Sequence, residues 1–242
     1  PQDLPLEIVY EDADILVIDK PAGVIVHPGA GNPDGTLANA ILYHFPELAA
    51  LPRAGLVHRI DKGTTGLLVV ARNEHARSKL IRALECHAVS RCYLAVVDGI
   101  PISGGTLDQP IGRHPRNRLR MAVNSNGKPA VTHYRVEEKF RAHALVSVEL
   151  ETGRTHQIRV HLSWAGYPLV GDALYGRRLR IPAGASGKFA ETLRGFKRQA
   201  LHARSLTLTH PRTGKSLNWK SPVPPDLAQL LSTLRSEQRS DP

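Results

Sequence analysis

The stretch AGLVHRIDKGTTGLLVVA, residues 54–71, contains one acidic side chain, Asp61, among three basic ones. His58 and Arg59 precede it and Lys62 follows it, and opposite charges within reach favour the ionised form of a carboxylate. A carboxylate that stays charged in a loop can act as a nucleophile or as a base. The same pattern is also typical of a solvated turn with surface basic neighbours, and these residues alone leave both interpretations open.

Two apolar runs flank the polar hexapeptide DKGTTG, and they predict the elements that position it. Residues 55–60 and 67–71 are rich in β-branched and aliphatic side chains, which is typical of short buried strands. The Gly-Thr-Thr-Gly cluster between them predicts a tight connection. We therefore expect a hairpin in which Asp61 lies at the end of the first strand.

Further candidates lie in two later segments. Residues 149–162 alternate as a strand would, which predicts that Arg159 and its alternate neighbours share one face. Arg159 could then pair with a carboxylate and fix its direction, although the sequence does not identify Asp61 as the partner. Tyr93 lies in an apolar run, where it is either a core aromatic with a satisfied hydroxyl or a platform on which a base stacks.

The charge balance indicates a polyanionic partner. The 242 residues include 32 Lys and Arg against 22 Asp and Glu, which gives a formal net charge of +10. Nucleic acid is the commonest partner of such a surface, and basic clusters at 113–120 and 177–180 would add phosphate contacts that weaken with salt. A solvated basic face is the alternative. The candidate phosphate contacts in the first cluster are Arg113, Arg116 and Arg118.

The familiar cofactor and metal motifs do not occur in the sequence. The Gly214-Lys215-Ser216 triplet lacks the glycine that a phosphate-binding loop needs five positions before its lysine, and there is no G-x-G-x-x-G. The two cysteines, Cys86 and Cys92, lack the surrounding motifs of a zinc deaminase. We therefore expect neither a metal nor a small-molecule cofactor.

The cysteine content and the order of the predicted elements indicate the cellular compartment and the fold class. Two cysteines provide no disulfide framework and fit a reducing, cytoplasmic compartment, and no apolar run approaches membrane-spanning length. Strands outnumber helices and mostly follow one another directly, which predicts an α+β fold with a mixed, mainly antiparallel sheet. No repeat or linker divides the chain, so we expect a single domain over 1–242. The predicted helices are 37–45, 74–87, 188–197 and 226–234.

Five motifs in register resemble the RluA-type pseudouridine synthases. VHRIDKGTTGLLVVA at 57–71 is similar to the catalytic signature of that family, and four more of its motifs are matched in order along the chain. The similarity covers about residues 6–234. In detail the sequence most resembles the RluD branch, which modifies a hairpin loop of bacterial large-subunit ribosomal RNA. The four further motifs are KPAGVIVHPG, RCYLAVVDG, GKPAVTHYRV and LETGRTHQIRVHL.

The resemblance implies a pseudouridine synthase fold around a central RNA-binding cleft, and it implies roles for individual residues. Asp61 matches the catalytic aspartate, Arg159 the basic residue that pairs with it, and Tyr93 the active-site tyrosine. Arg59 matches the arginine that enters the RNA helix as the target uridine swings out. Gly63 stands where sequences of this branch generally have Asp, which removes one negative charge beside Asp61.

The resemblance also predicts the reaction and its surroundings. The chain would isomerise specific uridines to pseudouridine in large-subunit ribosomal RNA, as a monomer acting on a pre-ribosomal particle, without a cofactor or a membrane. His58, Lys62 and Arg154 complete the predicted RNA contacts. Members of this branch usually carry an S4-type RNA-binding domain ahead of the catalytic domain, so we expect 1–242 to be the catalytic domain alone.

Three alternatives stay open at this point. The chain could be a non-catalytic RNA-binding module, or a synthase of the same family that acts on another ribosomal or transfer RNA site. It could also be a nucleoside or glycoside hydrolase that uses Asp61 together with a second acid such as Asp172, because glycosidic hydrolysis usually employs two carboxylates. The sequence favours a structural role for Asp172 in ordering a turn.

Overall fold

The computed structural model describes residues 1–29 and 31–239, which form two compact units. Unit 1 comprises Pro1–Arg91 and Ala203–Ser221, and unit 2 comprises Cys92–His202 and the segment from Pro222 onward. The strands are β1 (Ile8–Glu11), β2 (Ile15–Lys20), β3 (Thr65–Ala71), β4 (Ser90–Asp98), β5 (Gly105–Asp108), β6 (Ile111–Arg113), β7 (Met121–Val123), β8 (Val131–Lys139), β9 (His143–Leu150), β10 (Leu201–Thr209) and β11 (Ser216–Lys220). The α-helices are α1 (Leu37–His44), α2 (Glu74–Glu85), α3 (Gln157–Trp164), α4 (Gly187–Gly195) and α5 (Pro225–Arg239).

The sheet of unit 1 is built around β2 and β3. β1 pairs with β2 and β2 with β3, both antiparallel, while β10 borders the other side of β3 and pairs with β11. All seven residues of β3 are buried, because the strand is covered on both faces. α2 begins where the Asn73 side chain accepts a hydrogen bond from the Ala76 N–H at 2.9 Å, and Ala76 and Leu80 bury its apolar stripe against the sheet.

The sheet of unit 2 has the order β4-β9-β8-β5, with antiparallel pairing throughout, and β6 and β7 form a separate small ribbon. α4 and α5 pack together in its main hydrophobic core. The buried residues of α5 recur at the 3- and 4-residue spacing of one helix face. They are Leu227, Leu230, Leu231 and Leu234.

The structure confirms the predicted α+β class and the antiparallel sheet, and α1, α2, α4 and α5 match the four predicted helices. Among the described residues, no helix is both long and apolar enough to cross a bilayer. Two of the strand predictions are wrong, and both lie next to the candidate catalytic residues.

The predicted strand at 55–60 is not a strand. A 3₁₀ turn, Pro52–Gly55, leads into extended chain that touches β3 only through a single bridge between Leu56 and Val70. Leu56 and Ile60 of this run are buried, but β2 and β10 already occupy the two edges of β3, so the run has no edge with which to pair. The chain passes so close to β3 that a Cβ on Gly55 would lie 2.0 Å from the Ala71 carbonyl oxygen.

The predicted strand at 149–162 is also wrong, because β9 ends at Leu150 and α3 begins at Gln157. Six of the eight residues of α3, Gln157–Leu162, are buried, and its buried polar side chains find hydrogen-bond partners on neighbouring segments. Gln157 donates through Nε2 to the Val131 carbonyl, and His161, one helical turn later, hydrogen-bonds the hydroxyl of Thr132 through Nδ1. A helix with so little exposed surface carries no polar, solvent-facing stripe that would show its period.

Candidate functional site

Asp61 lies at the start of a tight turn that leads directly into β3. Its backbone carbonyl accepts a hydrogen bond from the Thr64 N–H at 3.0 Å, while its side chain is partly exposed. The carbonyl of the next residue, Lys62, accepts from the Gly23 N–H at 2.8 Å. Hydrogen bonds therefore hold the backbone at Asp61 itself and at the residue that follows it.

Lys20 supports this turn from inside unit 1. The residue is fully buried, and its ammonium donates to the carbonyl oxygens of Pro21 at 2.7 Å, Val24 at 2.9 Å and Lys62 at 3.2 Å. A buried ammonium is costly unless its donors are bound, and these three carbonyls match its three N–H groups. Sequence analysis missed this role, although a lysine that closes the apolar strand ILVIDK was a visible signal.

His58 anchors the chain just before Asp61. Its Nε2 accepts a hydrogen bond from the backbone N–H of Val69 in β3 at 3.0 Å, and its buried Nδ1 has no hydrogen-bond partner in the described part of the chain. Burial, assisted by the positive charge of Arg91, lowers the pKa of His58 to about 3. The ring is therefore neutral at pH 7 and holds the loop against β3 instead of presenting a charge to RNA.

The other two predicted contacts of unit 1, Arg59 and Lys62, are exposed on either side of Asp61. Further positive charge lies close by. Burial lowers the pKa of His27, and the charges of Arg53 and Arg59 lower it further, because both guanidinium groups are near the ring. Unit 1 thus combines a partly exposed carboxylate with exposed cations.

In unit 2, Arg159 is bound to a carboxylate by two parallel hydrogen bonds. Its Nε donates to Asp172 Oδ2 at 2.7 Å and its Nη2 to Oδ1 at 2.9 Å, with both side chains buried. Asp172 Oδ1 also accepts from the backbone N–H groups of Leu174 and Tyr175. Burial alone would raise the pKa of Asp172, but the hydrogen bonds and charge of Arg159 and the two backbone donors outweigh it and lower that pKa.

Tyr175 connects the ion pair of Arg159 and Asp172 to the small ribbon of β6 and β7. Its ring centroid lies 5.0 Å from the guanidinium carbon of Arg159 and 5.2 Å from that of Arg120, which is cation–π geometry for both arginines. Its hydroxyl accepts from the Met121 N–H of β7 and hydrogen-bonds His156 Nδ1, just before α3, each at 2.8 Å. These contacts could not be predicted from the sequence, because they join segments about 20 to 55 residues apart.

The remaining predicted residues of unit 2 lie on different elements. Tyr93 is in β4 opposite Val148 of β9 and is 5% exposed. Arg154 is half-buried and donates through Nε to the Pro129 carbonyl at 2.9 Å. The three arginines of the first basic cluster are exposed at the β6 end and in the loop that joins β6 to β7. They are Arg113, Arg116 and Arg118.

Residues 14–164 match the family model described as RNA pseudouridylate synthase. The ribosomal large subunit pseudouridine synthase D of Pseudomonas aeruginosa is 60% identical over 239 residues, which are 99% of this chain and 75% of that protein. The protein of the same name in Escherichia coli K12 is 54% identical over 237 residues, covering 98% of this chain and 73% of the relative.

Two solved structures share the fold. The human RNA pseudouridylate synthase domain containing 4 aligns with a TM-score of 0.73 and 27% identity over 95% of this chain and 93% of that one. The human RNA pseudouridylate synthase domain containing 1 aligns with a TM-score of 0.68 and 28% identity, over 98% and 97%. These alignments confirm the predicted fold class.

Proposed function

The chain belongs to the RNA pseudouridylate synthase family, and from this premise we propose that it isomerises uridines in large-subunit ribosomal RNA with Asp61 as its catalytic carboxylate. The relatives that are 54–60% identical over nearly the whole chain are named for the large ribosomal subunit. The observation that carries the role of Asp61 is its setting: a partly exposed carboxylate on a turn that Lys20 and His58 fix from within unit 1.

The proposed reaction conserves every atom of the nucleotide. The bond between ribose C1′ and uracil N1 breaks, the base rotates, and a new bond joins C1′ to C5, which loses its proton while N1 gains one. Two routes use the carboxylate: Asp61 attacks C1′, or it removes a ribose proton to release uracil. Both require an ionised, well-placed carboxylate, and a fixed turn supplies that placement.

Three further residues complete the proposal. We propose that Arg159 keeps Asp61 oriented, that Tyr93 stacks on the base and assists removal of the C5 proton, and that Arg59 fills the space left by the extruded uridine. Extrusion costs a few kcal/mol of unstacking, which an inserted side chain offsets in part. The bidentate contact with Asp172 supports the role of Arg159, because it fixes the direction of the guanidinium.

The state of Asp172 argues against the hydrolase alternative, which needs this residue as a second, proton-donating acid. Asp172 is paired with Arg159, and its lowered pKa keeps it ionised, whereas a general acid must carry a proton at neutral pH. A synthase of this kind is expected to leave no free uracil, and the appearance of uracil as a product would contradict the proposal.

The remaining predictions concern partners and place. We propose contacts from Lys62, Arg113, Arg116, Arg118 and Arg154 to RNA phosphates, supported by the net charge of +10. A pre-ribosomal substrate, a monomeric state and a cytoplasmic location also stay predictions. Light scattering of the purified protein tests the monomeric state, and activity on subunit precursors compared with bare RNA tests the substrate.

The function is tested by mapping pseudouridine in ribosomal RNA from cells that lack this protein. We expect a discrete set of large-subunit positions to lose pseudouridine. The wild-type gene and the control Asp3→Asn, which changes an exposed aspartate of unit 1, should restore them, whereas Asp61→Asn should not. Restoration by Asp61→Asn at a matched protein level would overturn the role of the carboxylate.

A further inference from the structure

Unit 2 contains a cavity of about 280 Å³ in which the proposed reaction places no ligand. It opens between the loop that follows Val170 and the C-terminal end of α4. Its floor is apolar and includes Leu169, Val170, Leu193 and Phe196, all of which are buried. A cavity of this size and lining accepts a flat, mainly apolar group no larger than a small ligand.

Four exposed cations line the opening of this cavity: Arg177, Arg180, Arg194 and Lys197. We refer to the cavity together with these cations as the basic cavity. None of the four forms a salt bridge with a carboxylate in the described part of the chain. Two carboxylates, Asp98 and Asp172, also line the cavity, but Asp172 is already paired with Arg159. The mouth is therefore net positive and attracts an anion.

His143 supplies a second, independent feature. It is 3% exposed, it lines the cavity, and its buried Nδ1 has no hydrogen-bond partner among residues 1–29 and 31–239. Burial lowers the pKa of His143, against the opposing effect of the Asp98 charge, so the ring is neutral at pH 7. Buried polar atoms are normally hydrogen-bonded, so a polar group of a ligand is the natural partner for this nitrogen.

We propose that the basic cavity binds one nucleotide unit, with the base on the apolar floor and its polar edge at His143 Nδ1, and with the phosphate at the cationic rim. A base has apolar faces and a hydrogen-bonding edge, and its attached phosphate carries the charge that the rim attracts. The source is either an extruded nucleotide of the RNA substrate, in which case the inference rests on the proposed function, or a free nucleotide.

Binding of uridine 5′-monophosphate to the whole chain tests the proposal, measured by titration calorimetry beside inorganic phosphate alone. We expect saturable binding of the nucleotide, at least ten-fold tighter than binding of phosphate. Arg194→Gln changes only an exposed rim residue and should weaken nucleotide binding several-fold, and His143→Phe should weaken it about ten-fold. The control Arg82→Gln, on the exposed face of α2 in unit 1, should have no effect.

The two sources are separated with Asp61→Asn protein, which is expected to bind RNA without converting it. If RNA supplies the nucleotide, Arg194→Gln lowers the affinity for a large-subunit RNA fragment, and uridine monophosphate competes with that fragment. If a free nucleotide is the ligand, Arg194→Gln lowers the affinity for uridine monophosphate and leaves the affinity for the RNA fragment unchanged. No nucleotide binding at millimolar concentration, binding equal to that of phosphate, or binding unchanged by both cavity variants would overturn the proposal. None of these readouts depends on turnover, so the proposed function is judged separately.

Discussion

Unit 1 and unit 2 each hold a carboxylate among basic side chains, but they hold it by different means. In unit 1 the backbone carbonyls of Asp61 and Lys62 each accept a hydrogen bond, and the Asp61 side chain keeps partial access to solvent. In unit 2 the Asp172 side chain itself accepts four hydrogen bonds and is completely buried. The first arrangement suits a group that must meet a substrate, and the second suits a group that must orient a neighbour.

The largest stability effect is expected from Asp172→Asn, which removes the buried carboxylate that accepts two hydrogen bonds from Arg159. Removing one member of a buried pair costs about 3–5 kcal/mol of unfolding free energy. The control is Asp226→Asn, because Asp226 makes the same two-bond contact with Arg198 but is 48% exposed, and its loss should cost no more than about 1 kcal/mol. Urea denaturation measures the unfolding free energy of both variants. Equal losses in the two variants would contradict the conclusion that burial makes the Asp172 pair more important for stability than the Asp226 pair.

Lys20→Met tests the backbone support of the Asp61 turn. Methionine keeps an unbranched stem but donates nothing, so the carbonyls of Pro21, Val24 and Lys62 lose a donor. We expect a loss of about 3 kcal/mol in unfolding free energy, as for buried groups left unsatisfied, and a fall in activity of up to about 10²-fold from misplacement of Asp61. The exposed Lys79→Met on α2 is the control. An active, stable Lys20→Met protein would show that the turn is held by other contacts.

The His58 anchor predicts a pH dependence of stability. The folded protein holds His58 neutral, with a pKa of about 3 against an ordinary value of 6.5. The contribution of His58 to the free energy of unfolding is therefore fully present above pH 6.5. It declines as the pH falls toward 3, by up to about 1.4 kcal/mol per pH unit. His58→Gln should flatten the curve of unfolding free energy between pH 6.5 and 5, whereas His75→Gln, an exposed histidine of α2, should not. Parallel curves for wild type and His58→Gln would contradict the buried, neutral ring.

The smallest effect is expected from the exposed arginines of unit 2. Arg116→Gln should weaken RNA binding modestly and lower the slope of log affinity against log salt by about 1, because one phosphate contact is lost. Arg82→Gln should leave the slope unchanged. A slope that does not respond to Arg116→Gln would mean that this arginine belongs to a solvated face.

The sequence predicted elements well where one face of a segment is polar. α2 carries an apolar stripe and a capping Asn73, and α1 begins at Thr36 with a reciprocal capping box, so local residues mark both helices. The two wrong strands, 55–60 and α3, are segments with a single exposed residue each, Arg59 and Trp164, so periodicity does not report their backbone conformation. Their form depends on which strand edges are already occupied, which is a property of the whole fold.

The candidate site shows the same division. Asp61, Arg59 and Lys62 were recognisable because they are adjacent and belong to a family motif. The contacts of Lys20 with Lys62, of His58 with Val69 and of Tyr175 with Met121 join segments 11 to 54 residues apart. Asp172 was expected to order a turn, and it does so through Leu174 and Tyr175, but its pairing with Arg159 could not be derived from spacing.

The most direct test of the central claim is tritium release from large-subunit RNA labelled at uridine C5, measured in a single turnover. Wild type and Asp3→Asn should release tritium at the same rate, and Asp61→Asn should release it at least about 10³-fold more slowly while keeping the wild-type unfolding free energy. Release by Asp61→Asn at a rate within ten-fold of wild type would contradict the assignment of the chemistry to Asp61.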